Sequence, residues 1–160
     1  MLSRRPYSVA ELRRALDKKF PDSPDVPAVI TRLGQLGYLN DAKFAEAYAS
    51  TLARVRAYGS HRIRRELKSK LVDDRVIDAA VEKTFTSVNE RELLEHTIDK
   101  KVRTLRKPLT RSKLASLCQS LMRRGFRADD IMKAIRAKPE LNNAADGVNL
   151  EETEEETEKL

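Results

Sequence analysis

The chain has 160 residues, 40% of them hydrophobic and 36% charged, with a formal net charge of +7, five glycines and one cysteine. This length allows one ordinary hydrophobic core or a few helical repeats that share one, and the composition favours an all-helical protein. No apolar run approaches the ~20 residues of a membrane span, and the N-terminus lacks the apolar centre of a secretion signal. We therefore expect a cytoplasmic protein without a membrane partner.

Charge is distributed unevenly along the chain. Residues 140–160 contain eight acids and one base, so the first 139 residues carry a net charge of +14. A body this cationic predicts a polyanionic partner, either nucleic acid or an assembly that contains it. Because periodic apolar residues end near Lys138, we expect residues 140–160 to form an acidic, disordered tail.

Two helices are predicted before the first glycine turn. Ser8 and Glu11 resemble a capping box, which starts a helix that runs to about Lys19. Apolar residues at helical spacing predict a second helix from about Asp25, and Gly37 ends it as a left-handed cap.

The middle of the chain predicts one long helix and two short ones. Asn40 or Asp41 caps the long helix. The first short helix follows Tyr58 and Gly59, and the second runs to about Thr84.

A second long helix and two further short ones follow. Ser87 to Glu90 resembles another capping box at the start of the long helix, and Pro108 is expected to stop it. Thr110 caps the next helix, which runs to about Arg124. Three apolar residues mark the final helix: Ile131, Ala134 and Ile135.

Long and short helices recur with a period of about 50 residues. The apolar spacing of Phe44, Tyr48, Leu52 and Val55 is the same as that of Leu94, Ile98, Val102 and Leu105. We therefore predict an all-α protein of tandem three-helix repeats, with repeats at about 7–37, 41–84 and 88–137. The first repeat lacks its long helix, so we expect the apolar faces of helices 9–19 and 25–36 to be partly uncovered.

The stretch from Tyr58 to Leu71 has two faces. Its apolar stripe consists of Ile63, Leu67 and Leu71, which recur every four residues. Its second face is cationic and consists of His61, Arg64, Arg65 and Lys68. The first face is expected to pack into a core.

Three segments of the chain resemble the RecX family of bacterial regulatory proteins, over about residues 4–137. They are Gly37-Tyr38-Leu39-Asn40-Asp41-x-x-Phe44-Ala45, Ile63-Arg64-x-Glu66-Leu67 and Arg124-Gly125-Phe126. The resemblance implies an elongated, curved molecule of three-helix repeats. It also implies binding to the RecA recombinase and its nucleoprotein filament on single-stranded DNA. The implied result is inhibition of filament growth, ATP hydrolysis, strand exchange and co-protease activity, which modulates recombinational repair and the SOS response.

Two clusters of bases are the candidate binding surface. Residues 100–127 contain ten bases and no acid, and residues 54–70 contain seven bases and His61 against one acid, Glu66. If equivalent helices of successive repeats align, both clusters would lie on one stripe that phosphates or an acidic filament groove could follow. The candidate residues for binding a partner or nucleic acid are Arg54, Arg56, His61, Arg62, Arg64, Arg65, Lys68, Lys100, Arg103, Arg106, Lys107, Arg111, Lys113, Arg123, Arg124 and Arg127.

The sequence is also compatible with functional classes other than a regulator of a recombinase. Short helix pairs joined by glycine turns resemble helix-turn-helix units, so a DNA-binding transcriptional regulator is the alternative. A helical-repeat adaptor whose charges only keep it in solution is a third hypothesis. The sequence contains no phosphate-binding glycine loop, nucleophile elbow or zinc spacing, so we expect no enzyme activity and no cofactor. We expect a monomeric chain. The resemblance implies the recombinase filament and single-stranded DNA as its partners, and double-stranded DNA is a further candidate.

Remaining candidate groups are interpreted as structural. Cys118 lies on an apolar stripe, so a buried, inert thiol is expected. His61 and His96 are too far apart in a sequence poor in other ligands to suggest a metal site. Aromatic side chains are expected to pack in the core, with Tyr58 as the best candidate for stacking on a base.

Overall fold

The structure is a computed structural model that describes residues 5–145, with side chains described through residue 142. Nine helices and no strand form within the described residues. They are α1 (Val9–Lys19), α2 (Asp25–Gln35), α3 (Asp41–Arg56), α4 (Ser60–Ser69), α5 (Asp74–Ser87), α6 (Glu90–Thr104), α7 (Arg111–Arg123), α8 (Ala128–Arg136) and α9 (Pro139–Ala145). None of these helices combines the length and the apolar composition that crossing a membrane requires.

The chain divides into two compact units. The first unit comprises Met1–Leu52 and Ile63–Ser87, and the second comprises Ala53–Arg62 and Val88–Leu160. The two boundaries at residues 52 and 62 fall inside α3 and α4. Only helices form in the described residues of either unit, so the predicted all-helical class is confirmed for this part of the chain.

Each unit has its own apolar core. In the first unit, the core includes the buried residues Leu12, Val26, Phe44, Ile63, Leu67 and Ile77. In the second unit, the core consists of Leu94, Ile98, Leu114, Leu117, Cys118, Leu121, Phe126, Ile131, Ala134, Ile135 and Leu141. Apolar residues at helical spacing produce both cores, as the sequence pattern predicts.

Three helices end in the same kind of turn. In this turn, the Schellman motif, one amide bonds to a carbonyl five residues earlier and the preceding amide to a carbonyl three residues earlier. The longer bonds run from Tyr38 to Leu33, from Val72 to Leu67 and from Phe126 to Leu121, at 3.0, 3.3 and 3.3 Å. In each turn, the leucine that accepts the longer bond is followed four residues later by Gly or Leu and then by Tyr, Val or Phe. A shared sequence pattern thus accompanies the shared hydrogen bonds.

Leu71 departs from the apolar stripe predicted for α4. It occupies the left-handed position of its turn with φ +59°, where the other two turns have Gly37 and Gly125. Its side chain is 40% exposed, whereas Ile63 and Leu67 are fully buried. The prediction that Leu71 continues the packed stripe was wrong, because the chain has already left the helix at this residue.

The two predicted capping boxes also differ from the structure. Ser8 accepts the amide of Glu11 at 3.0 Å, but the Glu11 carboxylate pairs with Arg5 and Lys70 and is not used to cap the helix. Burial alone would raise the pKa of Glu11, but these two cations outweigh it and leave that pKa lowered. Asn89, and not Ser87, caps α6.

Two helix ends lie away from their predicted positions. α5 continues through Ser87, past the predicted end at Thr84. α6 ends at Thr104, four residues before Pro108, so proline does not itself stop the helix. Thr110 caps α7 as predicted, with its hydroxyl accepting the amide of Lys113 at 3.4 Å.

α9 was not predicted. It covers Pro139–Ala145, and Leu141 within it is fully buried in the core of the second unit. Residues 140–145 therefore do not belong to a disordered tail, because Leu141 has a core to bury against. The rest of the predicted tail, residues 146–160, lies outside the described residues.

Apolar side chains of α1 and α2 are incompletely covered in the first unit. Only Leu12 of α1 and Val26 of α2 are buried. Four large apolar residues of this region are exposed: Phe20, Val29, Leu36 and Tyr38. The partly uncovered faces expected from the sequence are thus present.

Candidate polyanion-binding surface

The second unit carries the longest run of bases without an acid. Ten bases and no acid lie between residues 100 and 127, in the last part of α6, the connection to α7, α7 itself and the turn that follows. α6 has acids in its first turn and bases in its last, which is the arrangement that the helix dipole favours. Its cationic end therefore leads into the cationic connection.

Most of these bases are exposed and have no acidic partner in the described part of the chain. The exposed ones without an ion pair to any residue from 5 to 142 are Lys100, Arg103, Arg106, Lys107, Arg123 and Arg127. Arg111 is also exposed, but it has an interaction of its own. Exposed cations without internal partners are the groups that a polyanion can neutralise by releasing its counterions.

Lys113 is used inside the chain. Its Nζ donates hydrogen bonds to the carbonyl oxygens of Arg106 at 2.8 Å and Pro108 at 3.0 Å. These bonds tie the connection between α6 and α7 to the first turn of α7. The contacts of Lys113 thus point to a structural role, although the residue was a sequence-predicted binding candidate.

Arg124 is held by both its side chain and its backbone. Its Nη1 donates to the carbonyl oxygen of Arg56 at 2.8 Å and lies 3.5 Å from that of Ala57. The amide of Gly59 donates to the carbonyl oxygen of Arg124 at 2.8 Å. A Cβ added to Gly59 would lie 2.5 Å from the carbonyl oxygen of Gly125, so the two backbones are in close contact. The Arg124 guanidinium therefore has a fixed position at the end of α3.

Lys101 of α6 is half-buried, and the predicted set of binding residues omitted it. Burial lowers the pKa of its ammonium group, and the charges of Arg124 and Arg123 lower that pKa further. Its neighbour Val102 packs against the core that α6 and α7 share. The sequence could not single out Lys101 from the other bases, because its burial depends on how α6 packs within the second unit.

The segment Ala53–Arg62 adds four predicted residues to the second unit. Arg54, Arg56 and His61 are exposed, and Arg62 is half-buried. The Arg62 guanidinium lies 5.6 Å from the centroid of the Tyr58 ring, which is a cation–π distance. Tyr58 is itself half-buried, so the best candidate for base stacking already has a cationic neighbour on its ring.

In the first unit, the cationic face of α4 is partly neutralised by α5. Arg64 forms a hydrogen-bonded ion pair with Asp78, and the Nζ of Lys68 lies 3.4 Å from the carboxylate of Asp74. Arg65 is exposed and has no partner among the described residues. Of these three predicted binding residues, only Arg65 keeps an uncompensated charge.

The aromatic residues, the cysteine and the possible metal ligands were expected to have structural roles. Phe44 and Phe126 are buried as predicted, whereas Tyr38 is 68% exposed. Cys118 is fully buried, and burial raises the pKa of its thiol to about 11. In the described part of the chain, no three His, Cys, Asp or Glu side chains form a group that could hold a metal ion.

Comparisons with known proteins place the chain in a family. Two family models match it, described as the second and third three-helix domains of RecX, over residues 40–81 and 89–135. A regulatory protein RecX of Chlorobaculum tepidum is 30% identical over 136 residues, which cover 85% of this chain and 82% of that protein. The chain belongs to the RecX family. The predicted family and its three-helix repeats are thus confirmed.

Other members of the RecX family differ in length. The regulatory protein RecX of Bacillus subtilis is 34% identical over 134 residues, or 84% of this chain and 50% of that protein. The chain spans about half the length of the Bacillus relatives that it matches. A crystal structure of RecX from Lactobacillus salivarius is similar in fold, with a TM-score of 0.72, 24% identity, and coverage of 85% of this chain and 88% of that one.

The first segment that resembles RecX is mainly structural here. Gly37 takes the left-handed position with φ +76°, and Asn40 accepts the amide of Lys43 at 2.9 Å at the start of α3. The carboxylate of Asp41 accepts the amide of Val9 at 2.8 Å, which connects α3 to the start of α1. This RecX segment therefore specifies a junction of helices and does not itself form the cationic surface.

Proposed function

We propose that this chain is a non-catalytic regulator that binds a RecA-type recombinase and its nucleoprotein filament on single-stranded DNA. It inhibits filament growth, ATP hydrolysis, strand exchange and co-protease activity, and so modulates recombinational repair and the SOS response. Membership of the RecX family supports the regulatory role, since the relatives are named regulatory proteins.

The observation that carries the proposal is the set of exposed bases in the second unit without acidic partners. A recombinase filament on DNA presents phosphates and carboxylates, and arginine can pair with either through two parallel hydrogen bonds. The alignment of this set with the bases of α4 on one stripe stays a prediction.

The test is the DNA-dependent ATPase rate of a purified RecA-type recombinase while the chain is titrated in. We expect strong inhibition at less than one copy of the chain per recombinase, because a regulator that acts on a filament affects many subunits at once. An unchanged rate in the presence of the folded chain would contradict the proposal. Preference for one duplex over random DNA by a factor of about 10³ would then favour the transcriptional regulator.

A matched pair of double variants locates the surface. Arg103→Gln with Arg106→Gln removes two unpaired charges, and Arg64→Gln with Lys68→Gln removes two charges that already face Asp78 and Asp74. We expect the first pair to weaken inhibition more than the second, because neutralised bases contribute less to the field at the surface. Equal losses would mean that net charge alone is responsible.

A further inference from the structure

One side of α2 is apolar but exposed. In α5 and α8, three positions of the apolar stripe, at i, i+3 and i+4, are all buried. They are Ile77, Ala80 and Val81 in α5, and Ile131, Ala134 and Ile135 in α8. The same positions of α2 are Val26, Val29 and Ile30, of which only Val26 is buried, and Val29 is 45% exposed. Residues 5–40 contain no long helix that could cover this side of α2.

The exposed side of α2 carries a regular stripe of four residues. Asp25, Val29, Arg32 and Leu36 follow one another at spacings of four, three and four residues, so they lie within one narrow arc of the helix. All four are exposed, and Leu36 directly follows the last residue of α2 in a helical conformation. This is the spacing of residues along the seam between two paired helices.

The two charges of this stripe are complementary to each other. Asp25 and Arg32 are the only charged residues of α2, and neither forms an ion pair with any residue from 5 to 142. They lie two helical turns apart on the same side. If two copies of α2 pack antiparallel about a two-fold axis, Asp25 of each copy faces Arg32 of the other, so two ion pairs form at once.

The same arrangement also brings apolar side chains together. With Asp25 opposite Arg32, the two-fold axis passes between positions 28 and 29, so Val29 of one copy meets Val29 of the other. Leu36 then extends past Asp25 of the other copy towards the exposed Phe20, which precedes α2 in the chain. This side of α2 is therefore self-complementary in both charge and apolar contact.

We propose that the stripe from Asp25 to Leu36 is a dimer interface that binds a second copy of this chain antiparallel. A partner with a purely apolar stripe would leave Asp25 and Arg32 facing apolar groups, and a polyanion would meet one acid for each base. The interface lies within the first unit and goes beyond the proposed function, since it requires neither DNA nor a recombinase. It replaces the monomer expected from the sequence with a reversible dimer, because a single short helix provides a small contact.

The first test is sedimentation equilibrium of the full chain, without DNA or recombinase, from about 5 to 500 μM. We expect the mean mass to rise from one chain towards two over this range. Val29→Lys should weaken dimerisation at least about tenfold, because symmetry places two lysines together at the centre of the interface. Val55→Lys is the matched control, since Val55 is an exposed valine of α3, outside the stripe.

Three outcomes of this test would overturn the dimer. One is a wild-type chain that stays monomeric at 500 μM, which would leave this side of α2 to a different protein. The second is equal weakening by Val29→Lys and Val55→Lys, and the third is unchanged dimerisation of Val29→Lys. If circular dichroism shows that Val29→Lys does not fold, Leu36→Lys replaces it, with the same criteria.

A second test examines the antiparallel pairing of charges. Asp25→Lys and Arg32→Glu should each weaken self-association about tenfold, because each change places like charges opposite one another twice. An equal mixture of the two variants should associate as strongly as the wild-type chain, since every Lys or Arg then faces an acid. Both changes also oppose the dipole of α2, but a loss of helix stability would persist in the mixture. A mixture that associates no better than the single variants would overturn the proposed pairing.

Discussion

Leu71 illustrates how one residue can conflict with the turn that it occupies. A left-handed conformation costs a residue with a Cβ about 1–2 kcal/mol, and the side chain of Leu71 is 40% exposed, so packing compensates only in part. We expect Leu71→Gly to stabilise the chain by about 0.5–1 kcal/mol, because glycine takes this conformation without strain. The midpoint and slope of urea unfolding measure the change.

Leu71→Ala is the control for that substitution. Alanine removes the same side-chain contacts but keeps the Cβ, so it should not gain stability. If Leu71→Ala and Leu71→Gly shift the unfolding midpoint equally, the gain comes from losing an exposed leucine and not from the backbone.

Cys118 predicts a pH dependence of stability at high pH. Burial raises the pKa of its thiol to about 11 from an ordinary value of 9.0. Below pH 9 the thiol is protonated in both the folded and the unfolded chain, so the contribution of Cys118 to the free energy of unfolding is complete. Between pH 9 and 11 this contribution is lost, because the thiol ionises in the unfolded chain at a lower pH than in the folded chain. Cys118→Ala has no thiol to ionise, so its free energy of unfolding should not fall for this reason. Measured against the wild-type chain, the free energy of unfolding of Cys118→Ala should therefore rise by on the order of 2 kcal/mol between pH 9 and 11. Parallel urea curves at pH 8, 9 and 10.5 are the measurement, and a constant difference between the two proteins would contradict it.

At the scale of helices, α9 depends on one apolar side chain. Leu141 is fully buried in the core of the second unit, and the neighbouring Asn142 is exposed. We expect Leu141→Ala to destabilise the chain by about 2–5 kcal/mol, as for other buried leucines. Asn142→Ala, which changes the same helix at its surface, should alter stability by less than about 0.5 kcal/mol. Thermal unfolding of both variants decides whether α9 is part of the core.

Eight of the nine helices in the described residues could be predicted from apolar spacing and caps, and α9 shows why the last could not. Leu141 is its only large apolar residue, so no periodic stripe exists. Pro139 gives no clear signal either, because proline follows the end of many helices but is equally suited to the first position of a new one. α9 could be recognised only from the tertiary structure, because the core of the second unit is what buries Leu141.

The candidate surface was predictable in composition but not in detail. Arg64 and Lys68 are four residues apart on α4, and Asp74 and Asp78 are four residues apart on α5. This matched spacing is a signal of their pairing, but it is visible only when the two helices are compared. The half-burial of Lys101 had no comparable signal. It depends on tertiary packing, which the order of charges does not encode.

At the scale of the whole molecule, opposite charges lie on one chain. Residues 146–160 hold seven of the 25 acids and one of the 32 bases, so a chain that ends at residue 145 would carry a net charge of +13. A tethered acidic segment competes for cationic groups at high effective concentration. We expect removal of residues 146–160 to tighten binding of oligothymidylate at low salt, with the difference disappearing at high salt. Anisotropy titrations at 20 and 300 mM salt would measure the effect.

A full-length variant is the control for that truncation. Replacing the six glutamates between residues 151 and 158 with glutamine keeps the length and removes most of the negative charge. It should bind as tightly as the truncated chain. Unchanged affinity in both variants would contradict competition by the acidic segment.

The start of α4 has three amides that the protein itself already occupies. The amides of Gly59 and His61 donate to the carbonyl oxygens of Arg124 and Gly125 at 2.8 and 3.2 Å, and the amide of Ser60 donates to the Glu90 carboxylate at 2.7 Å. Free amides at a helix start can hold a phosphate in one fixed place. Because these three amides already have acceptors within the protein, they cannot act as an anion-binding site. The hydrogen bonds instead join the start of α4 to the turn after α7 and to the first turn of α6, so this helix start serves as an internal connection of the second unit.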